Sequence, residues 1–187
     1  MSTVDNMIGA GRATPPAAVK VWDPFVRVFH WSLATLILAA FLTGEDAGQV
    51  HIAAGYAISG LIASRIAWGF VGPRHARFSN FVRSPRAVLA YLRDVVRLRA
   101  RRYIGHNPAG GAMIIGLLFM LLGTGLTGFM MTTNNFWGAK GVEEVHEAFA
   151  NLTAGLVVFH VFGVLASSFG HGENLVKSMI TGWKRPA

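Results

Sequence analysis

Residues 146–160 read HEAFANLTAGLVVFH, a histidine at each end of thirteen residues that are almost all apolar or small, and the chain stays apolar as far as Ser168. An α-helix over fourteen steps rises about 21 Å and turns through about four turns less 40°. Both imidazoles therefore leave the helix from nearly one face, at two depths. A polar ring inside an apolar helix is costly unless it has a partner or a function, so each depth asks for a partner from elsewhere in the chain.

The composition says what surrounds that helix. With 52% hydrophobic residues, 14% charged residues and a mean hydropathy of +0.43, the 187-residue chain is too apolar for an ordinary soluble domain. Crossing a bilayer takes about 20 apolar residues, and residues 24–43, 51–71, 109–131 and 146–169 qualify. The expected fold is all-α, a transmembrane four-helix bundle. Gly44, Gly72-Pro73 and Asn107-Pro108 supply its stop and start signals. The first 20 residues are polar, contain Pro15 and Pro16 and lack the features of a cleaved signal peptide. With no internal repeat and no Gly/Ser linker, residues 1–187 read as one integral membrane domain. The chain has no cysteine, which excludes disulfides, thiolate-ligated clusters and the C-x-x-C-H haem attachment motif.

The 17 Lys and Arg residues are distributed unevenly. Arg12, Lys20 and Arg27 precede the first span. Nine arginines from Arg74 to Arg102 lie between the second and third, and Lys177, Lys184 and Arg185 follow the fourth. The two opposite loops hold Lys140 alone against Glu45, Asp46, Glu143 and Glu144. The positive-inside rule then puts both termini and the long middle loop in the cytoplasm. The formal net charge of +8 is mainly a topology signal, and no nucleic-acid partner is expected. Within the middle loop, residues 86–102 alternate an apolar stripe (Val88, Leu89, Leu92, Val95, Val96) with an arginine stripe (Arg86, Arg93, Arg97, Arg101). This is an amphipathic helix suited to anionic membrane lipid.

In this frame His30 lies about two turns into the first span and matches the cytoplasmic depth of His160. His51 opens the second span and matches the outer depth of His146. Two His/His pairs stacked across a four-helix bundle suit two bis-histidine haems, because haem iron takes one axial nitrogen from each side. Gly55, Gly155 and Gly163 leave room near these levels. Two other readings stay open: interhelical hydrogen bonds between the imidazoles, and an outer metal site in which Glu143, Glu144 and Glu147 join His146.

The stretches VWDPFVRVFHW, HIAAGY, RIAWGFVGPRHARF, GHNPAGG, VEEVHEAFANL and FHVFG, together with the His-x13-His spacing, resemble the bacterial cytochrome b561 group. That group includes the b-type cytochrome subunits of nickel–iron hydrogenases, and the likeness covers about residues 20–183. The resemblance implies a dihaem b cytochrome of the bacterial inner membrane that moves electrons between the quinone pool and a redox partner. Carried onto this sequence, His30 and His160 would ligate iron in the cytoplasmic-side haem, and His51 and His146 in the outer one. Arg65 is a candidate for contact with haem propionates, and His106 with Asn107 for the quinone site. The partner would be a c-type cytochrome or a hydrogenase-like subunit, and a homodimer is left open. Two alternatives stand beside this reading: a self-contained quinone-linked oxidoreductase acting on a small oxidant at the outer haem, and a haem-free assembly or transport subunit. Whether the chain is itself an enzyme is undecided by the sequence.

Overall fold

The computed structural model describes residues 18–44 and 48–186; the polar tail through residue 17 and the loop residues Glu45 and Asp46 lie outside them. Four helices are long and apolar enough to cross a membrane: α1 (Pro24–Leu42), α2 (Gln49–Val71), α5 (Pro108–Met131) and α6 (Lys140–Gly170). Between α2 and α5 stand the single-turn helix α3 (Phe78–Phe81) and α4 (Pro85–Val96). After α6 comes α7 (Leu175–Thr181), and a two-residue strand β1 (Val19–Lys20) pairs with β2 (Trp183–Lys184).

Local chemistry fixes the helix starts. The Asp23 side chain accepts a hydrogen bond from the Val26 amide ahead of Pro24, and that of Asn107 accepts one from the Gly110 amide ahead of Pro108. Both are N-caps followed by a proline whose missing N–H is not needed there. Two boundaries differ from the expected ones. α6 begins at Lys140 rather than near 146, because its polar first turns are helical outside the apolar window, and the loop before it shortens to residues 132–139. α4 stops at Val96 rather than continuing to 102, because Leu98 takes a left-handed conformation, φ 55°, which ends the helical ladder.

The spans pack in the order α1, α2, α5, α6. Phe29, Ile58, Ile62 and Leu121 form the buried centre of the first three. Glycines on α5 let its neighbours come close: a Cβ on Gly123 would lie 2.5 Å from the Phe149 ring of α6, and one on Gly125 2.6 Å from Ser59 Oγ of α2. This small-residue contact is the usual means of joining helices in lipid. Among the described residues, α6 makes at most isolated backbone contacts with α1 or α2, so a slot separates it from them. The outer faces are apolar: Val158, Phe159, Phe162 and Phe169 of α6 are all more than two-thirds exposed, as lipid-facing side chains are. On α4, Tyr91 is buried while Leu89, Leu92 and Val96 remain exposed.

The end that bears the termini is locked by charge. Glu173, 8% exposed, accepts two hydrogen bonds from Arg102, at 2.9 and 3.3 Å, and one from the Arg185 amide, with Lys184 Nζ at 3.5 Å. Gly182, φ 88°, turns the chain into β2; a Cβ there would sit 2.8 Å from the Trp22 carbonyl oxygen. Burial raises the Glu173 pKa, but the Arg102 hydrogen bonds and the Lys184 charge outweigh it and hold the carboxyl below its usual range. The resulting stabilisation is complete above the unfolded carboxyl pKa of about 4.3 and is lost as pH falls through the lower folded value. Glu173→Ala is therefore expected to remove about 1.5–3 kcal/mol of charge-assisted bonding and to speed trypsin cleavage at Lys177 and Lys184. Acidification of the native protein should loosen the same segment, and Glu173→Gln should have the smaller effect.

Candidate cofactor site

The slot beside α6 is bridged at two levels by histidines. Near the termini, the ring centres of His30 on α1 and His160 on α6 stand 6.3 Å apart. At the far end, those of His51 on α2 and His146 on α6 stand 6.2 Å apart. All four rings are half-buried. The expected partners thus face each other, one pair at each depth.

These separations discriminate between the chemistries such pairs offer. A direct N–H···N hydrogen bond of about 2.9 Å, with about 1.1 Å from each nitrogen to its ring centre, would put the centres about 5.1 Å apart. A metal ion between them, at about 2.0 Å from each nitrogen, would put them about 6.2 Å apart. The observed spacing matches the second arrangement at both levels. Tautomers agree at the far end. His51 Nδ1 lies 2.9 Å from the Ala40 carbonyl oxygen, and His146 Nδ1 lies 3.0 Å from the Thr124 carbonyl oxygen and 3.1 Å from Thr127 Oγ1. Carbonyls only accept, so each Nδ1 carries the proton and each Nε2 keeps its lone pair for a metal. Anchoring the second nitrogen in this way is what ligating histidines do. His30 Nδ1 is buried without a hydrogen-bond partner.

Small residues clear the slot. A Cβ on Gly55, Gly155 or Gly163 would meet no atom within 4 Å. By contrast, one on Gly128 would lie 3.0 Å from His146 Cε1, so that glycine lets α5 close over the ring. Among the described residues no group of three or more His, Cys, Asp or Glu is placed to hold a metal ion. Glu143, Glu144 and Glu147 are exposed and do not form a carboxylate-rich site with His146.

Arg65 stands fourteen residues past His51 on α2, as His160 stands fourteen past His146 on α6. It is 3% exposed, donates to the Ala76 carbonyl oxygen at 3.2 Å and lies 5.3 Å from the Phe78 ring centre, with Nη1 buried and unpartnered. His106 is held between Trp22 and Phe81, at ring-centre distances of 4.6 and 4.8 Å, and its Nδ1 is also unpartnered. Burial, then the charges of Arg65 and Lys184, push His106 down to about 3, so its ring stays neutral at physiological pH. The Asn107 oxygen is taken up by the α5 cap. His171 Nδ1 bonds the Ser167 carbonyl of its own helix, and His75 packs near Gly105. Sequence reasoning missed Ala40, Thr124 and Thr127. Two of the three contacts with the histidines use backbone carbonyls, for which a side chain gives no signal; only the Thr127 hydroxyl was there to be noticed.

The profile of the prokaryotic cytochrome b561 family matches residues 21–182. Similar proteins include a "Probable Ni/Fe-hydrogenase B-type cytochrome subunit" of Azotobacter vinelandii, 22% identical over 94% of this chain and 92% of the relative. One of Bradyrhizobium diazoefficiens is 26% identical over 91% and 87%. The "Probable Ni/Fe-hydrogenase 1 B-type cytochrome subunit" of Escherichia coli K12 is 21% identical over 88% and 89%. No solved structure matches the chain significantly. Four apolar spans, paired histidines and a family match over nearly the whole described chain lead to one conclusion: the chain belongs to the prokaryotic cytochrome b561 family and is a multi-pass membrane b-type cytochrome, carrying haem b in electron transfer.

Proposed function

We propose that this cytochrome holds two haems b by bis-histidine ligation and passes electrons between quinone and a redox partner across the bacterial inner membrane. His30 and His160 would ligate the haem near the termini, and His51 and His146 the one at the far end. The observation that carries this reading is the ring spacing of 6.3 and 6.2 Å, which suits one metal ion per pair. Haem iron supplies a reversible one-electron change when so ligated. The chain's part is to fix the imidazoles, orient them through Nδ1 and keep water from both levels with apolar helices.

The Lys and Arg distribution supports an orientation with both termini cytoplasmic, and in this reading the spans and their terminal-end elements form one membrane domain. The unpartnered Arg65 Nη1 suits a propionate of the cytoplasmic-side haem. Quinone is assigned to the region of His106 and Asn107, where the buried Nδ1 lacks a partner and the Asn107 amide NH2 is left over from the cap. A neutral His106 serves there as a hydrogen-bonding group rather than a ready proton source. The names of the relatives support a hydrogenase-like subunit as electron partner. Exposed Glu143, Glu144 and Glu147 at the outer end also suit a basic c-type cytochrome.

Purified protein is expected to show b-type bands in a reduced-minus-oxidised spectrum and two haems per chain. His51→Ala should remove one haem and leave the other; absence of b-type bands, or two haems retained in the variant, would overturn the assignment. Because the chain lacks cysteine, orientation can be read from single introduced thiols. Gly138→Cys should react with a membrane-impermeant reagent in intact spheroplasts, and Arg97→Cys only after permeabilisation.

A further inference from the structure

Pro24, Arg27, Val28 and Trp31 stand at positions i, i+3, i+4 and i+7 of α1 and so share one stripe of the helix. Phe29 and Leu33 pack into the buried centre on the opposite side. His30, which faces His160 of α6, is turned about 100° from Trp31. Val28 and Trp31 therefore look outward, away from α2 and from the slot, and they are 67% and 41% exposed. Ile180, near the end of α7, stands opposite them, and with Ser32 these residues line an open groove of about 550 Å³. Small-molecule sites typically measure about 300–1,000 Å³ and are mostly apolar. Among the described residues α1 and α7 meet by at most isolated backbone contacts, so the groove is a gap between them.

Arg27 gives this groove its charge. Its Nη2 donates to the Ile180 carbonyl oxygen. A Cβ on Gly182, φ 88°, would lie 3.4 Å from Arg27 Nη1 and 3.5 Å from its Cδ, so the bare glycine lets the guanidinium rest against the turn. The fork is held in place, yet Nε is buried without a hydrogen-bond partner. Among the described residues no carboxylate lies within 4 Å of it, both ion pairs belonging to Glu173. Asp23, one turn earlier, uses a side-chain oxygen to cap α1. The other charges nearby in the chain are positive: Lys177 is exposed one turn before Ile180, and Lys20 is exposed just ahead of α1.

A fixed guanidinium at the start of a membrane span, above an outward apolar strip, complements an amphiphile with an anionic head. Arginine presents a planar fork that matches phosphate, and tryptophan settles at headgroup level. A neutral quinone head would leave the cation uncompensated. We propose that this groove seats one anionic phospholipid of the leaflet at the end that bears the termini, its phosphate on Arg27 and an acyl chain along Val28 and Trp31. The lipid then joins α1 to α7 and supplies the counter-charge that Arg27 lacks. This site lies outside both histidine levels and does not depend on how many haems they hold.

Native mass spectrometry of the detergent-purified holoprotein, titrated with phosphatidylglycerol, chain-matched phosphatidylcholine or inorganic phosphate, tests the proposal. One phosphatidylglycerol is expected to bind ahead of any phosphatidylcholine. Inorganic phosphate at equal concentration should not displace it, since it has no chain to bury. Arg27→Gln should weaken that first binding by about tenfold or more and leave the haem spectrum unchanged. Val28→Trp narrows the groove from an exposed position without touching the Arg27 bonds; it should weaken the same binding, and it serves if Arg27→Gln does not fold. Equal binding of the two lipids, or full affinity for phosphatidylglycerol in either folded variant, would overturn the proposal. Displacement of the lipid by inorganic phosphate or by a short-chain quinone would reassign the groove to that ligand and overturn it as well.

Discussion

An imidazole in hydrocarbon has to find a partner, and four of them on three helices can all do so only if the helices stand at fixed depths and rotations. That requirement organises the bundle. α6 meets α5 through glycine-cleared packing at Gly123, but across the slot it meets α1 and α2 chiefly through His160 and His146. The bundle is thus sealed by side-chain packing along three contacts and by facing imidazoles along the fourth. The glycines follow the same division: those on α5 bring backbones together, whereas Gly55, Gly155 and Gly163 border open space.

How much of this could be read beforehand follows from which features are local. Helix rise and twist are constants, so the interval from His146 to His160 gave depth and face without any knowledge of the fold, and His30 and His51 could be matched to them by level. The spans were legible because lipid demands long apolar segments. The true start of α6 was not, since Lys140, Glu143 and Glu144 are helical yet outside the apolar window. The end of α4 turned on the backbone angle of Leu98, which no periodicity encodes. Arg102 and Glu173 are 71 residues apart in the chain, and their pairing depends on how α4 and α7 come to rest. Thr124 meets His146 through a carbonyl that every residue has.

The terminal end is built differently from the far end. There the chain adds a strand pair, α3, α4, α7 and the Glu173 lock, and the buried polar atoms left without partners, among them His30 Nδ1, Arg65 Nη1, Trp68 Nε1 and His106 Nδ1, lie toward this end. The far end is plain by comparison, two short connections over rings that are already tethered. The structural elaboration and the unsatisfied polar capacity therefore coincide.

The four spans are unequal rulers. α1, with 19 residues, measures about 28 Å, whereas α6, with 31, measures about 46 Å. The hydrocarbon layer is about 30 Å thick, so the shortest helix has almost no slack and registers the molecule against the lipid. The surplus of α6 sits at its charged beginning, where it stands clear as a rigid post. A change in bilayer thickness is consequently felt first at α1, and so at His30, through tilt or local deformation. The level of His146 is buffered by helix that can slide through the interface.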